Sequence, residues 1–216
     1  MREAIELSGV VLQAQPVGEY DRRLVILTRE RGKITVFAHG ARRPKSTLIS
    51  ATAPFVFAVF TMYEGRDAYT LVSADVKEYF TGLSGKMPGV LYGFYFLELA
   101  SYYTREGLEA GGIVNLLYVT CLALLREQMP IPMIRAVCEL RMLAENGEYA
   151  LPEPDCGLDT GVLAAMYHVC RTPVSRLFAF ALEEEKQNAF IREVTREMKR
   201  AVDKNFKSLA VIDEMY

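Results

Sequence analysis

Two periodicities divide the chain. Over roughly the first third, apolar residues come in short runs that alternate with polar ones, the period of two that a strand imposes because successive side chains face opposite sides. The runs Ile5 to Gln13, Tyr20 to Thr28, Lys33 to His39, Phe55 to Tyr63 and Tyr69 to Val76 predict five strands. Gly18, Arg31-Gly32 and Glu64-Gly65-Arg66-Asp67 punctuate them, the last two standing where hairpin turns belong. In the fourth run Phe55, Phe57, Val59 and Phe60 place apolar groups on both faces. A strand carries that pattern when one face lines a barrel interior and a second layer covers the other. Five strands at this spacing predict a small barrel, for which the oligonucleotide-binding (OB) fold is a common soluble solution, although strand count alone leaves other small barrels open.

From Pro88 the period becomes 3.6. Val90, Leu91, Phe94 and Leu97 form one stripe, and Ile113, Leu116, Leu117, Cys121, Leu124 and Leu125 another. A third helix is predicted from about Pro132, suited to a first helical turn, to Asn146, with Gly147 placed for the left-handed cap. Helices near Thr160 to Cys170, Val174 to Leu182 and Gln187 to Phe206 complete an all-α second part, and Glu148 to Asp159, with Pro152, Pro154 and Gly157, reads as a loop. The prediction is therefore an α+β, two-domain chain: residues 1–82 an OB-type barrel and residues 83–216 a helical domain. The boundary falls in the stretch Gly82 to Gly89.

Charge changes the picture more than composition does. The chain has 216 residues, 51% of them hydrophobic, enough for one large or two small cores. Its net charge of −2 does not suggest nucleic acid. Between Arg22 and Lys45, however, eight cations face Glu30 alone, a net +7 that leaves −9 for the rest. Lys and Arg along strands and their loops can track phosphates while a barrel face offers surface to bases. Arg29, Arg31 and Lys33 flank one turn, Arg42, Arg43 and Lys45 follow the strand ending at His39-Gly40, and the two clusters could converge on one groove. Tyr20, Phe37, Phe55, Phe57, Phe60 and Tyr63 could stack on bases, although on alternating strands most of them belong to the core.

Other chemistry finds little support. His39 and His168 have no nucleophile motif beside them, and no glycine-rich phosphate loop follows a strand. Glu19 and Asp21, next to Gly18, read as turn and loop-closing residues, so no enzymatic activity is expected. Cys121, Cys138, Cys156 and Cys170 form no C-x-x-C pair; the first two lie in apolar helical patterns, where a free cysteine packs as a small hydrophobe. The late helix carries Arg192, Arg196, Lys199, Arg200 and Lys204 with Glu193 and Glu197 among them, the pattern of a solvated face. No run of about 18 uncharged apolar residues occurs, and the acidic start lacks the apolar stretch of a secretory signal, so the expected location is the cytoplasm.

On these residues the chain resembles a known family. Gly9-Val10-Val11-Leu12, Gly18-Glu19-Tyr20-Asp21 and Leu27-Thr28-Arg29-Glu30-Arg31-Gly32-Lys33 resemble the opening of the RecO family of bacterial recombination mediators. Ala38-His39-Gly40-Ala41-Arg42-Arg43-Pro44-Lys45-Ser46 resembles that family's most recognisable segment. Ile131-Pro132 with Cys138-Glu139-Leu140-Arg141-Met142-Leu143 is similar to its central helix, and Phe206-Lys207-Ser208-Leu209 to its closing motif. The resemblance implies an OB barrel followed by a helical domain, binding to single- and double-stranded DNA, strand annealing, and recombinase loading in the RecF pathway of DNA repair. It implies as partners RecR and the acidic C-terminal tail of single-stranded DNA-binding protein, and as groove residues Arg29, Arg31, Lys33, Arg42, Arg43 and Lys45. Many members carry a four-cysteine zinc finger after the central helix; here Leu151-Pro152-Glu153-Pro154-Asp155-Cys156-Gly157 keeps only the first cysteine, so no zinc or other cofactor is expected. The rival reading is an adaptor whose barrel binds acidic peptides, and an RNA-binding role uses the same groove.

Overall fold

The computed structural model describes residues 3–127 and 129–215. Five strands, β1 (Ala4–Val17), β2 (Asp21–Thr28), β3 (Gly32–Ala38), β4 (Phe57–Glu64) and β5 (Tyr69–Glu78), close a barrel in the order β1-β2-β3-β5-β4. This is the OB arrangement. The long β1 makes closure possible: its first half pairs with β4 (Ala4↔Tyr63 to Val10↔Phe57) and its second with β2 (Gly9↔Thr28 to Val17↔Asp21). A register shift between Val11 and Gln13 bends it where it changes partners. Gly9 sits at this crossing, where a Cβ would stand 2.2 Å from the Leu27 carbonyl oxygen, so only glycine lets the two strands come together.

The barrel core follows the predicted alternation. Leu24 and Ile26, Ile34 and Val36, Ala58, Phe60 and Met62, and Tyr69 and Leu71 point inward. The predicted two-faced character of the fourth strand is present, but Phe55 lies outside it in a left-handed conformation (φ 69°). The outward Phe57 is buried edge-on against Phe80, ring centroids 5.3 Å apart.

Helices α1 (Leu48–Ala51), α2 (Gly89–Tyr103), α3 (Gly111–Arg126), α4 (Ile131–Glu145), α5 (Thr160–Arg171), α6 (Glu184–Ala201) and α7 (Lys207–Met215) make up the helical part among the described residues. The chain divides into two compact units, Met1–Ser84 with Leu97–Val114, and Gly85–Phe96 with Asn115–Tyr216. The barrel unit thus takes in a segment beyond residue 82. Backbone bonds hold that segment to the β2–β3 turn: Lys33 N–H to Arg105 O (3.2 Å), Gly107 N–H to Arg31 O (3.0 Å) and Ala110 N–H to Arg29 O (2.9 Å).

In the second unit α4 packs on α5 and α6. Pro132 occupies its first turn and Gly147 takes φ 73° beyond its end, as the sequence predicts. Three helical expectations change. Val174–Arg176 is a single 3-10 turn rather than a helix to Leu182, because only Leu177 of that stretch is buried and no apolar stripe can form. Helix α6 stops at Ala201, and Phe206 leaves the helix to bury its ring 5.3 Å from that of Tyr95. Helix α7, unanticipated, follows it.

Candidate nucleic-acid interface

Strand geometry separates the basic stretch into two ends. β2 and β3 pair antiparallel from Thr28↔Gly32 to Arg22↔Ala38. Arg29, Arg31 and Lys33 stand at the turn end of this ribbon, and Arg42, Arg43 and Lys45 just beyond its other end. Six strand steps at roughly 3.3 Å each keep the two about 20 Å apart. The two clusters therefore stand at opposite ends of the ribbon rather than side by side.

The turn-end cations are occupied with structure. Arg31 Nη1 donates to the Tyr69 hydroxyl at 3.0 Å and pairs with Glu64 at 2.7 Å, tying the β2–β3 turn to the β4–β5 hairpin. Those two bonds, the tyrosine's first, raise its pKa further above the usual arginine value. Lys33, half-buried, gives its ammonium to the Ser101 carbonyl near the C-terminal end of α2 (2.5 Å), where helix carbonyls lack helical partners. Arg29 is half-buried, its guanidinium 3.8 Å from where a Cβ on Gly111 would stand.

The other end is differently built. Asp21, the first residue of β2, accepts the Gly40 N–H at 2.8 Å, and its other oxygen lies 2.7 Å from His39 Nδ1. The Gly40 bond, then the His39 bond and the nearby cations, hold this carboxyl below its ordinary pKa. This clamp fixes the loop after β3, and the Arg42 N–H donates to Tyr20 O at 2.8 Å. Arg43 is thereby laid over the exposed Tyr20 ring, 5.4 Å from its centroid. Arg42 and Lys45 are exposed as well. Among the described residues, no ion pair involves Arg22, Arg23, Arg42, Arg43 or Lys45.

Between the two ends lies the outer face of β2 and β3, with cross-strand pairs Arg23↔Phe37 and Val25↔Thr35, and with Thr70 of β5 beside Phe37. Phe37 is half-buried and Arg23 exposed. Of the six aromatics considered for stacking, Phe55, Phe57 and Phe60 are buried, while Tyr20, Phe37 and Tyr63 reach the surface. Sequence reasoning passed over Arg22 and Arg23. The available signal was parity: Arg23 alternates with the inward Leu24 and Ile26 and shares the outer face with Val25.

Comparison with known proteins bears on this surface. The family model described as "Recombination protein O N terminal" matches residues 1–80, the five-stranded barrel. A protein named "DNA repair protein RecO" from Acetivibrio thermocellus is 26% identical over 96% of both chains. Along nearly its whole length the chain is similar to proteins of the RecO family. Proteins of the same name from Alkaliphilus metalliredigens and Desulforudis audaxviator are each 35% identical over 66% of this chain, alignments that span 58% and 56% of those relatives' own lengths.

The RecO-like segments have separable roles. In the central helix, Glu139 is 1% exposed and accepts the Tyr95 hydroxyl at 2.6 Å and Arg135 Nε at 2.8 Å. Burial first, and then the Glu139 charge, push the Tyr95 hydroxyl far above its ordinary pKa, so it serves as a donor. Arg141 donates to the Val169, Cys170 and Thr172 carbonyls (2.9, 3.1 and 3.0 Å), closing the C-terminal end of α5. The charged members of this motif thus hold helices together. Cys121 and Cys138 are buried as expected, and burial pushes the Cys138 thiol up to about 12. At the RecO zinc-finger position Cys156 is exposed and Cys170 half-buried, and among the described residues no three His, Cys, Asp or Glu side chains converge. The late basic helix carries the exposed pairs Arg196–Glu193 and Arg200–Glu197, as a solvated face should. No described helix is long and apolar enough to cross a membrane.

Proposed function

We propose that this protein is a RecO-family, non-catalytic DNA repair mediator that holds a single strand of DNA across the outer face of β2 and β3, with little sequence preference. The observation that carries the reading is the far-end cluster. Arg23, Arg42, Arg43 and Lys45 are outside every ion pair among the described residues; Arg23 stands across the strands from the half-buried Phe37, and Arg43 lies over the exposed Tyr20 ring. Cations supply sequence-independent affinity through counterion release, and aromatic rings accept any base. In OB barrels the face of strands 2 and 3 and the loops β1–β2 and β4–β5 bind oligonucleotides, and here Tyr20 and Arg66 stand in those loops.

Within this reading Arg42, Arg43 and Lys45 hold phosphates directly. Arg29, Arg31 and Lys33 contribute charge at the turn end while bracing the turn. Duplex binding, annealing of complementary strands and assistance to recombinase loading, in company with RecR and the tail of single-stranded DNA-binding protein, follow from family membership and are proposed with it, as is a cytoplasmic, nucleoid-associated location. The absence of a structural zinc belongs to the same proposal.

The test is fluorescence anisotropy of a labelled single strand at two salt concentrations, with an Arg42→Glu/Arg43→Glu variant alongside. Salt-sensitive binding that the variant loses alike for every sequence is the expected result. Absence of binding, or binding indifferent to the variant, overturns the reading in favour of the peptide-binding adaptor. Competition between DNA and RNA strands of one sequence separates a DNA from an RNA role.

A further inference from the structure

At the far end of the β2–β3 ribbon the barrel mouth opens into a cleft of about 310 Å³ lined by Ala14, Pro16, Arg22, Arg42, Ala53 and Pro54. We propose that this cleft is a phosphate seat, where Arg22 and Arg42 together take one phosphodiester of a nucleic-acid strand leaving the outer face. The inference rests on the nucleic-acid reading and deepens it by naming where the strand goes beyond β2 and β3.

Arg22 shares the inward parity of Leu24 and Ile26 but lies at the end of β2, opposite Pro16 on β1 and Ala38 on β3. Its guanidinium is half-withdrawn from solvent and held rigidly. Nη1 donates to the Ile49 carbonyl at 2.8 Å and to Thr52 Oγ1 at 2.6 Å, and the Thr52 hydroxyl is itself bonded to Leu48 O at 2.7 Å. Both acceptors are neutral. Burial first, and then the Arg42 charge, lower the pKa of Arg22. The charge that acts on Arg22 is therefore that of a second cation, which is the electrostatics of an anion site rather than of a structural ion pair.

The bonds to Ile49 and Thr52 use Nη1 and leave the rest of the guanidinium fork for a ligand. A guanidinium presents five N–H donors in a planar fork suited to phosphate oxygens. Arg42 reaches the cleft from the other side, its backbone fixed to Tyr20 O and its Nη1 3.4 Å from Gly18 O. The remaining walls, Ala14, Pro16, Ala53 and Pro54, carry no side-chain donor or charge that would compete for the anion. An anion between the two guanidinium groups would relieve their mutual repulsion.

Anisotropy titrations over a salt series with oligothymidylates of increasing length test the seat, comparing the natural protein with Arg22→Gln and Arg22→Lys. For single strands, each phosphate that the protein ceases to neutralise lowers the slope of log K against log salt by about 0.7. Arg22→Gln is expected to lower the slope by about that much on long strands and to leave unchanged the binding of strands too short to extend past the face. Arg22→Lys should restore part of the slope, since it keeps the charge without the fork. Circular dichroism checks folding, and if Arg22→Gln does not fold, Arg22→Lys is read in its place: a partial fall in slope confined to long strands supports the seat, and a slope unchanged at every length overturns it. Natural protein that binds with salt dependence while Arg22→Gln keeps its slope at every length overturns the seat and leaves the nucleic-acid reading standing. Natural protein that binds no strand overturns both.

Discussion

Asp21 shows how much of the candidate interface depends on a single carboxylate. By accepting the Gly40 N–H and bonding His39 it sets the course of the loop that carries Arg42 and Arg43. Asp21→Ala should therefore leave the barrel folded but speed amide exchange at Gly40 and weaken single-strand binding severalfold; unchanged exchange at Gly40 would show that the clamp is not what holds the loop. Because this carboxyl sits below its ordinary pKa when folded, its stabilising contribution is complete above the unfolded value of about 3.9. It is lost only as pH falls through the lower folded value, so thermal unfolding followed between pH 5 and 8 should show the contribution in full and no pH dependence from this group. Phe37 is the stacking residue the face offers. Phe37→Ala should cost about 1–3 kcal/mol of single-strand affinity with little sequence preference, whereas Phe37→Tyr should retain it. Neither role was fully legible beforehand. The sequence marked Asp21 as loop-closing, but its partners lie 18 and 19 residues away and meet it only because β2 and β3 pair in one register. Phe37 stood among six aromatics whose exposure depends on which face of each strand is covered.

Among the helices, α4 carries a family-like segment whose charged members hold its neighbours. Glu139→Ala removes the carboxylate partner of the mostly buried Arg135 and strands the Tyr95 hydroxyl. The expected destabilisation is about 3 kcal/mol or more in chemical denaturation, with DNA affinity per folded molecule unchanged. A loss of affinity without loss of stability would show instead that this residue takes part in binding. Helix periodicity made α2 to α6 readable because their buried stripes recur at 3.6 residues. It failed at 174–182 and 201–206, where apolar residues pack one at a time from non-helical backbone: Leu177 is buried singly, and Phe206 against Tyr95. The two basic clusters looked like one because sequence proximity around a hairpin says nothing of which end of a strand a loop occupies.

Across the full chain, the expected signature is strong salt dependence despite a net charge of −2, since the exposed cations of the +7 stretch, Arg23, Arg42, Arg43 and Lys45, stand outside every ion pair among the described residues. Metal analysis of protein purified without chelators should find less than a tenth of an equivalent of zinc; one tightly bound equivalent would reinstate a site around Cys156. The order of residues alone dictated the barrel-then-helices arrangement, the alternation along each strand, the capping of α4 and the segment in which the cations concentrate. All of these are local: periodicity, turn residues and charge density need only neighbours along the chain. Which cations stay available was settled by the fold. Pairing placed Arg31 against Glu64 and Tyr69, brought Lys33 to the Ser101 carbonyl, and left Arg22 and Arg42 facing each other across a cleft. Whether a charge is committed to structure or kept for a ligand depends on partners tens of residues away, and only the closed barrel brings those partners within bonding distance.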